Sequence, residues 1–336
     1  MRRAVTGIAV CLCWLGLALA GAPPEAEVQG LYEGTCKDAK GESTIEARVV
    51  AQGKGAYKVY IRQTLPDKNV AKVTLDGTAE GDAVAFQGKA GEVEWKAAYA
   101  AGAITGTCGE GCTLTLKRVV KESPAMGKTP PEGAIVLLDG KSFDEMIKRK
   151  NKDGTEAPWD PSADDASIQV PKGGMRSKQA FEGSFDYHVE FMCPLRPDAR
   201  GQGRGNSGVF LPNGDEIQVL DSFGMETYLG GGCGGIYKYK DPDTMEVLRL
   251  ADGKEFKFTL ASAPPLQWQT YDIEYRVTEK GGKIVGKPKV TVYHNGIKIH
   301  NNFELHGGRT KGSFSFQDHG NPVRYRNIWV LPVEGK

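Results

Sequence analysis

Alternation with a period of two is the feature that most limits what this chain can fold into. From residue 185 to 192, Phe185, Tyr187, Val189 and Phe191 alternate with Asp186, His188, Glu190 and Met192. Successive strand side chains point to opposite faces, so such a run makes a strand with one apolar and one polar side. The pattern recurs in LQWQTYDIEYRV, in KVTVYHNGIKIHNN and in GSFSFQDHGNPVRYRNIWVLP. Helical periodicity is almost absent, and the chain reads as all-β. The alternation places His188 on a polar side, where a lone histidine is structural. It leaves His294, His300 and His306 beside turns, in contact with solvent.

The stretch Arg204 to Ser222, RGNSGVFLPNGDEIQVLDS, holds two apolar-rich runs joined by Pro212-Asn213-Gly214-Asp215. Asn-Gly between alternating segments is a strong hairpin signal, because a type I′ turn needs φ > 0 at both central positions. A two-residue turn at Asn213-Gly214 sets Leu211 opposite Glu216, Val209 opposite Gln218 and Ser207 opposite Leu220. Glu216 and Gln218 then share one face, with Ile217, Val219 and Phe210 on the other. A carboxylate and an amide on one face of a hairpin make a candidate site. The glycine-dense Gly230 to Gly235 lacks the Gly-Lys-Ser/Thr of a phosphate loop. It lets backbone pass close to a ligand or a strand.

With 336 residues, length suggests two domains. Met1-Arg2-Arg3 and the apolar run from Ala4 to Ala20 read as a secretory signal cleaved after Ala18-Leu19-Ala20, predicting a secreted or periplasmic protein with no membrane span after cleavage. Short strand-like runs over residues 25–120 predict a small accessory antiparallel β-domain. Residues 121–133, with three prolines, read as an exposed linker, and residues 134–334 as a second β-domain. A net charge of +1, with no basic stripe, excludes nucleic acid as an expected partner. Beyond the signal, Cys36, Cys108, Cys112, Cys193 and Cys233 remain, an odd number whose pairing stays open. Cys108 and Cys112 have no second close Cys/His pair in sequence, which argues against zinc.

Six motifs, AIVLLDGKSF, RGNSGVFLPNGDEIQVLDS, GGIYKYKDP, LQWQTYDIEYR, VYHNGIKIHNN and FQDHGNPVRYRNIWV, occur in the order seen in the 3-keto-disaccharide hydrolase family. The chain resembles that family over residues 134–332. The resemblance implies a concanavalin A-like two-sheet jelly-roll sandwich. It also implies cleavage of glycosides oxidised to a ketone at position 3, by hydrolysis or elimination. A Gly/Arg-rich segment between Arg196 and Arg204 is this chain's own.

A ketone at C3 acidifies the C2 proton, so the chemistry needs a base, a proton source for the leaving oxygen and a group that stabilises an enolate. Glu216 is the candidate base and His319 the candidate acid or base, with Asp221 orienting His319. Arg204, Arg324 and Arg326 are candidates for the oxyanion. Gln218, Gln317, Asn206, Tyr237, Lys238 and Asp318 are candidates for holding the sugar. Glu216, Asp221 and His319 are also a candidate set for a divalent cation, although no spacing demands one. A retaining glycosidase would carry E-x-D-x-x-E on this strand; here Gln218 stands where the Asp falls. A silent lectin-like or cell-envelope module on the same sandwich is the alternative reading.

Overall fold

The computed structural model describes residues 24–38, 41–65, 67–151, 153–249 and 255–333; the expected signal segment lies outside them. Eight antiparallel strands, from Gly30–Asp38 to Thr113–Val119, form a closed barrel, the first pairing with the last at Gly34 and Leu116. Its interior is packed with apolar side chains, among them Tyr32, Val49, Val59, Leu75, Phe86, Trp95 and Leu116. Closing so small a barrel brings backbones close together. A Cβ at Gly34 would lie 2.0 Å from the Thr115 carbonyl oxygen, so a glycine is needed there.

The rest of the described chain is a two-sheet sandwich. One sheet has five strands, in the order Met146–Lys148, Met175–Ser177, Ser315–Phe316, Ser207–Phe210 and Glu216–Val219. The other has eight, with Ser184–Met192 between Arg324–Val333 and Trp268–Lys280. Period-two alternation fills the space between them. Tyr187 stacks on Phe314 with ring centroids 4.0 Å apart, and Val209, Ile217, Val219 and Phe316 close the core from the five-stranded side.

Most of residues 121–133 are exposed, and the segment is held to the sandwich at Ser123, Gly127 and Lys128. Ser123 is buried, with its hydroxyl 2.6 Å from that of Thr270, and the Gly127 N–H donates to Glu190 at 2.6 Å. Lys128 pairs with Asp272 at 3.1 Å, and its carbonyl accepts from Asn327 and Trp329. The polar outer face of the eight-stranded sheet supplies these partners, and a composition-based reading could not see them. His188 lies under this segment, 3.0 Å from Asp272 and fully buried. Burial acts to lower its pKa, but hydrogen bonds with Asp272 and Glu190 outweigh that and raise it. His294 and His300 are also buried, contrary to the expectation of solvated turns. Burial pushes them down to about 3 and about 4, which leaves them neutral.

Barrel and sandwich are joined through Arg204. Its Nε donates to Asp221 at 2.7 Å, and both side chains are fully buried. The remaining guanidinium N–H groups reach the Ala51 carbonyl and the Gln29 side chain of the barrel, and the Arg196 carbonyl. Leu31, Val50 and Tyr60 of the barrel pack with Phe223, Met225 and Phe258 beside it. Removing one member of a buried pair leaves the other charge uncompensated, at a cost of about 3–5 kcal/mol, whereas removing both can be nearly neutral. Arg204→Leu should therefore lower the urea midpoint sharply, and adding Asp221→Leu should restore part of it. An equal midpoint for wild type and Arg204→Leu would show that the pair contributes nothing.

Candidate functional site

The hairpin turn has one residue more than the sequence suggested. The Gly214 N–H donates to the Leu211 carbonyl at 2.9 Å, and the Leu211 N–H to the Asp215 carbonyl at 2.8 Å, giving the three-residue loop Pro212-Asn213-Gly214. Proline suits the first position of a type I turn, and Gly214, at φ 103°, takes the left-handed position that follows. The register shifts by one: Phe210 opposes Glu216, Val209 opposes Ile217, Gly208 opposes Gln218 and Ser207 opposes Val219. Phe210 therefore joins the Glu216 face and leaves the core to Val209.

That face is built in two rows. The first runs Arg176, Ser315, Phe210, Glu216 across four strands. Tyr237 extends it, because residues 234–237 pair along the outer edge of the Glu216–Val219 strand. The Tyr237 N–H donates to the Glu216 carbonyl at 3.0 Å, and the Gln218 N–H to that of Gly235 at 2.9 Å. The second row runs Gln317, Gly208, Gln218, Gly235. Gly208 lies beside the carboxyl group, and Gly235 lies against the Gly230 backbone. A Cβ at Gly208 would lie 2.0 Å from a Glu216 oxygen, so glycine is required if the carboxyl is to stay where it is.

Glu216 is 8% exposed and makes no side-chain hydrogen bond or ion pair among the described residues. Burial alone pushes its carboxyl up to about 7. Tyr228 and Tyr237 join hydroxyl to hydroxyl at 2.9 Å nearby. Burial, the bond to Tyr237 and the charge of Glu216 together hold Tyr228 up at about 12, so it stays a neutral donor. Gln202, from the Gly/Arg-rich segment, accepts from both Asn206 (2.7 Å) and Gln218 (2.9 Å) and donates to the Gly231 carbonyl. Asn206 and Gln218 are thus held by Gln202. Lys238 is exposed, its ammonium 5.3 Å from the centre of the Tyr237 ring. Sequence reasoning missed Gln202, Tyr228, Arg176 and Gly208. Only the glycine density around Tyr228 hinted at close packing.

Several candidates lie elsewhere or are already engaged. Asp221 is held by Arg204 and by the Phe223 N–H, so neither Asp221 nor Arg204 is free for substrate, for His319 or for a cation shared with Glu216. Burial raises the Asp221 carboxyl, and the Arg204 guanidinium offsets part of that rise. Arg324 and Arg326 belong to the eight-stranded sheet. Arg324 donates to Ser167 at 2.7 Å, and Arg326 to Glu190 at 2.6 Å while stacking on Trp268. Their strand turns them outward on the far side of the sandwich, so neither stabilises an oxyanion at Glu216. Asp318 caps a turn, accepting from the Gly173 and Gly320 N–H groups. Gln317 is beside Gly208, and the chain after it passes Gly205, whose N–H donates to Asn321. His319 is exposed on this segment. A separate cavity of about 410 Å³ between barrel and sandwich is lined by Arg48, Arg62 and Phe223. Arg48 there is already bonded to the Leu260 and Ser262 carbonyls.

The profile of the 3-keto-alpha-glucoside-1,2-lyase-like domain matches residues 133–331. The chain belongs to this family. That membership makes it a carbohydrate-active protein, with an oligosaccharide or glycoside as its class of partner. A solved structure of a candidate glycosyl hydrolase from Parabacteroides distasonis shares 31% identity, covering 60% of this chain and 85% of that one, with a TM-score of 0.47. No curated protein matches the chain. Among the described residues no helix is long and apolar enough to cross a membrane.

Because the Glu216 carboxyl titrates near 7 when folded and near 4.5 when free, the folded state holds the extra proton between those values. Stability then falls as pH rises through that window, by at most about 3 kcal/mol. Glu216→Gln should consequently raise the unfolding midpoint relative to wild type at pH 8 and leave it nearly level at pH 4. An equal effect at both pH values would mean that the carboxyl is not desolvated.

Proposed function

We propose that this chain is an exported enzyme that cleaves the glycosidic bond of 3-keto-glycosides, with Glu216 as the base. The observation that carries the reading is the unpartnered, nearly buried Glu216 carboxyl beside Gly208, between Phe210 and Tyr237 in its row. A carboxyl titrating near 7 is basic enough to take a proton from carbon and is substantially ionised at neutral pH. Glu216 takes the C2 proton. The C–H electron pair forms the C2=C3 enolate, and its collapse expels the oxygen at C1, which leaves with a proton. Water added across the resulting double bond would complete a hydrolysis; without it the reaction ends as an elimination.

The neighbouring hydroxyls suit the enolate. Tyr228 and Tyr237 are bonded hydroxyl to hydroxyl, and one of them can turn to a developing oxyanion. Gln317, in the row beside the carboxyl, is assigned to a sugar hydroxyl, while Gln218 is buried and bonded to Gln202 and to the Val219 N–H. His319, exposed on the segment after Gln317, is assigned to protonation of the leaving oxygen. Export rests on the N-terminal apolar run.

Purified protein should release the aglycone from a 3-keto-glucoside and leave the unoxidised parent intact. The kcat/KM should rise with pH through an inflection near 7 as Glu216 ionises. Glu216→Gln should lower kcat by roughly 10³-fold or more, in the range expected when a general base is lost. Gly208→Ala, which displaces the carboxyl, should lower it by roughly 10²-fold with the fold retained. Sugar binding by wild type with no release from any 3-keto substrate would favour the lectin-like reading.

A further inference from the structure

The barrel lies outside the family match, and three of its cysteines converge. Cys36 comes from the Gly30–Asp38 strand, Cys108 ends the Ala103–Cys108 strand, and Cys112 precedes the Thr113–Val119 strand. Barrel closure sets Cys36 opposite Leu114, two residues from Cys112, and so brings a distant cysteine to the TCGEGC turn. The three sulfur atoms all lie within 4.8 Å of one another, and the residues are 2%, 8% and 5% exposed. Among the described residues no other group of His, Cys, Asp and Glu side chains converges in this way.

A sulfur atom forms one disulfide, so any disulfide here uses two of the three and leaves a buried thiol without a task. The Cα separations are 5.2, 6.5 and 7.3 Å. The widest, between Cys36 and Cys108, exceeds the usual disulfide span of about 4.4–6.8 Å. The three sulfurs crowd together, each pair at bonding distance, and an ion about 2.3 Å from each would engage all three once their side chains turn apart. Thiolate ligands select soft ions with filled shells. Beside the turn, a surface cavity of about 380 Å³ is lined by Glu92, Glu94 and Glu110, with Glu94 paired to Lys96 and Lys89.

We propose that Cys36, Cys108 and Cys112 form a three-thiolate site for a soft filled-shell metal ion, zinc(II) or copper(I), at one end of the barrel. Each thiol that ligates gives its proton to solvent, so uptake releases acid. The ion ties the first, seventh and eighth strands together at the seam where the barrel closes. The two ions share the ligands and differ in the fourth position: zinc(II) adds a water to reach four ligands, and copper(I) is satisfied by three.

The test uses the full chain, reduced with a phosphine under anaerobic conditions and then exposed separately to zinc(II) or copper(I). After desalting, native mass spectrometry should show one retained ion per chain with one of the two metals. Cys36, Cys108 and Cys112 should become protected from alkylation in the loaded wild type. Cys36→Ser should lower retention at least tenfold, while Cys193→Ala, a buried cysteine of the sandwich, should bind as wild type does. Preferential retention of zinc(II) or of copper(I) decides which ion the site takes. A reduced wild-type chain that retains neither ion, or that re-forms a disulfide and leaves one of the three alkylated in the presence of both, overturns the proposal.

Discussion

The buried pair of Arg204 and Asp221 is the contact on which the other parts depend. It spans the base of the hairpin, where the Asp221 N–H also donates to the Arg204 carbonyl. From that position the guanidinium reaches the barrel at Ala51 and Gln29 and the Arg196 loop at its carbonyl. A charge so deeply buried survives only if its hydrogen bonds are satisfied. Here they are satisfied by three separate segments, so the hairpin, the loop and the barrel have to be in place together.

Five residues apart, two carboxyls receive opposite treatment. Asp221 is supplied with a cation and a backbone donor. Glu216 is given neither, and burial raises its pKa. Leaving a polar group buried and unpaired costs stability, and such a cost persists where the group has work to do. The surroundings of Glu216 fit that account: Gly208 keeps space beside it, and Gln202 holds the two amides, Asn206 and Gln218, in fixed orientations.

How far the site could be read in advance depended on turn chemistry. Asn213-Gly214 signals a hairpin, but the preceding Pro212 selects a three-residue loop, and one added residue transfers Phe210 from the core to the polar face. Glu216 and Gln218 kept their shared face because a strand's own alternation does not depend on its partner's register. Arg324 and Arg326 were misplaced for a different reason. Alternation identifies the polar side of a strand but does not say which of two sheets the strand enters, and theirs faces away from the site.

Composition and alternation by themselves determined an all-β chain with two β-rich parts and a hairpin carrying a carboxylate, because period-two patterning and turn residues are local properties. Family membership over residues 133–331 was likewise written in ordered motifs. Tertiary structure alone decided which polar residues are spent and which are free. It assigned Asp221 to Arg204, Asp318 to a turn and residues 121–133 to the back of a sheet. It also placed Tyr228, Tyr237 and Gly208 around Glu216, and Cys36 beside Cys108 and Cys112. These pairings join residues distant in sequence, and burial, which sets their charge states, exists only once the sheets have packed.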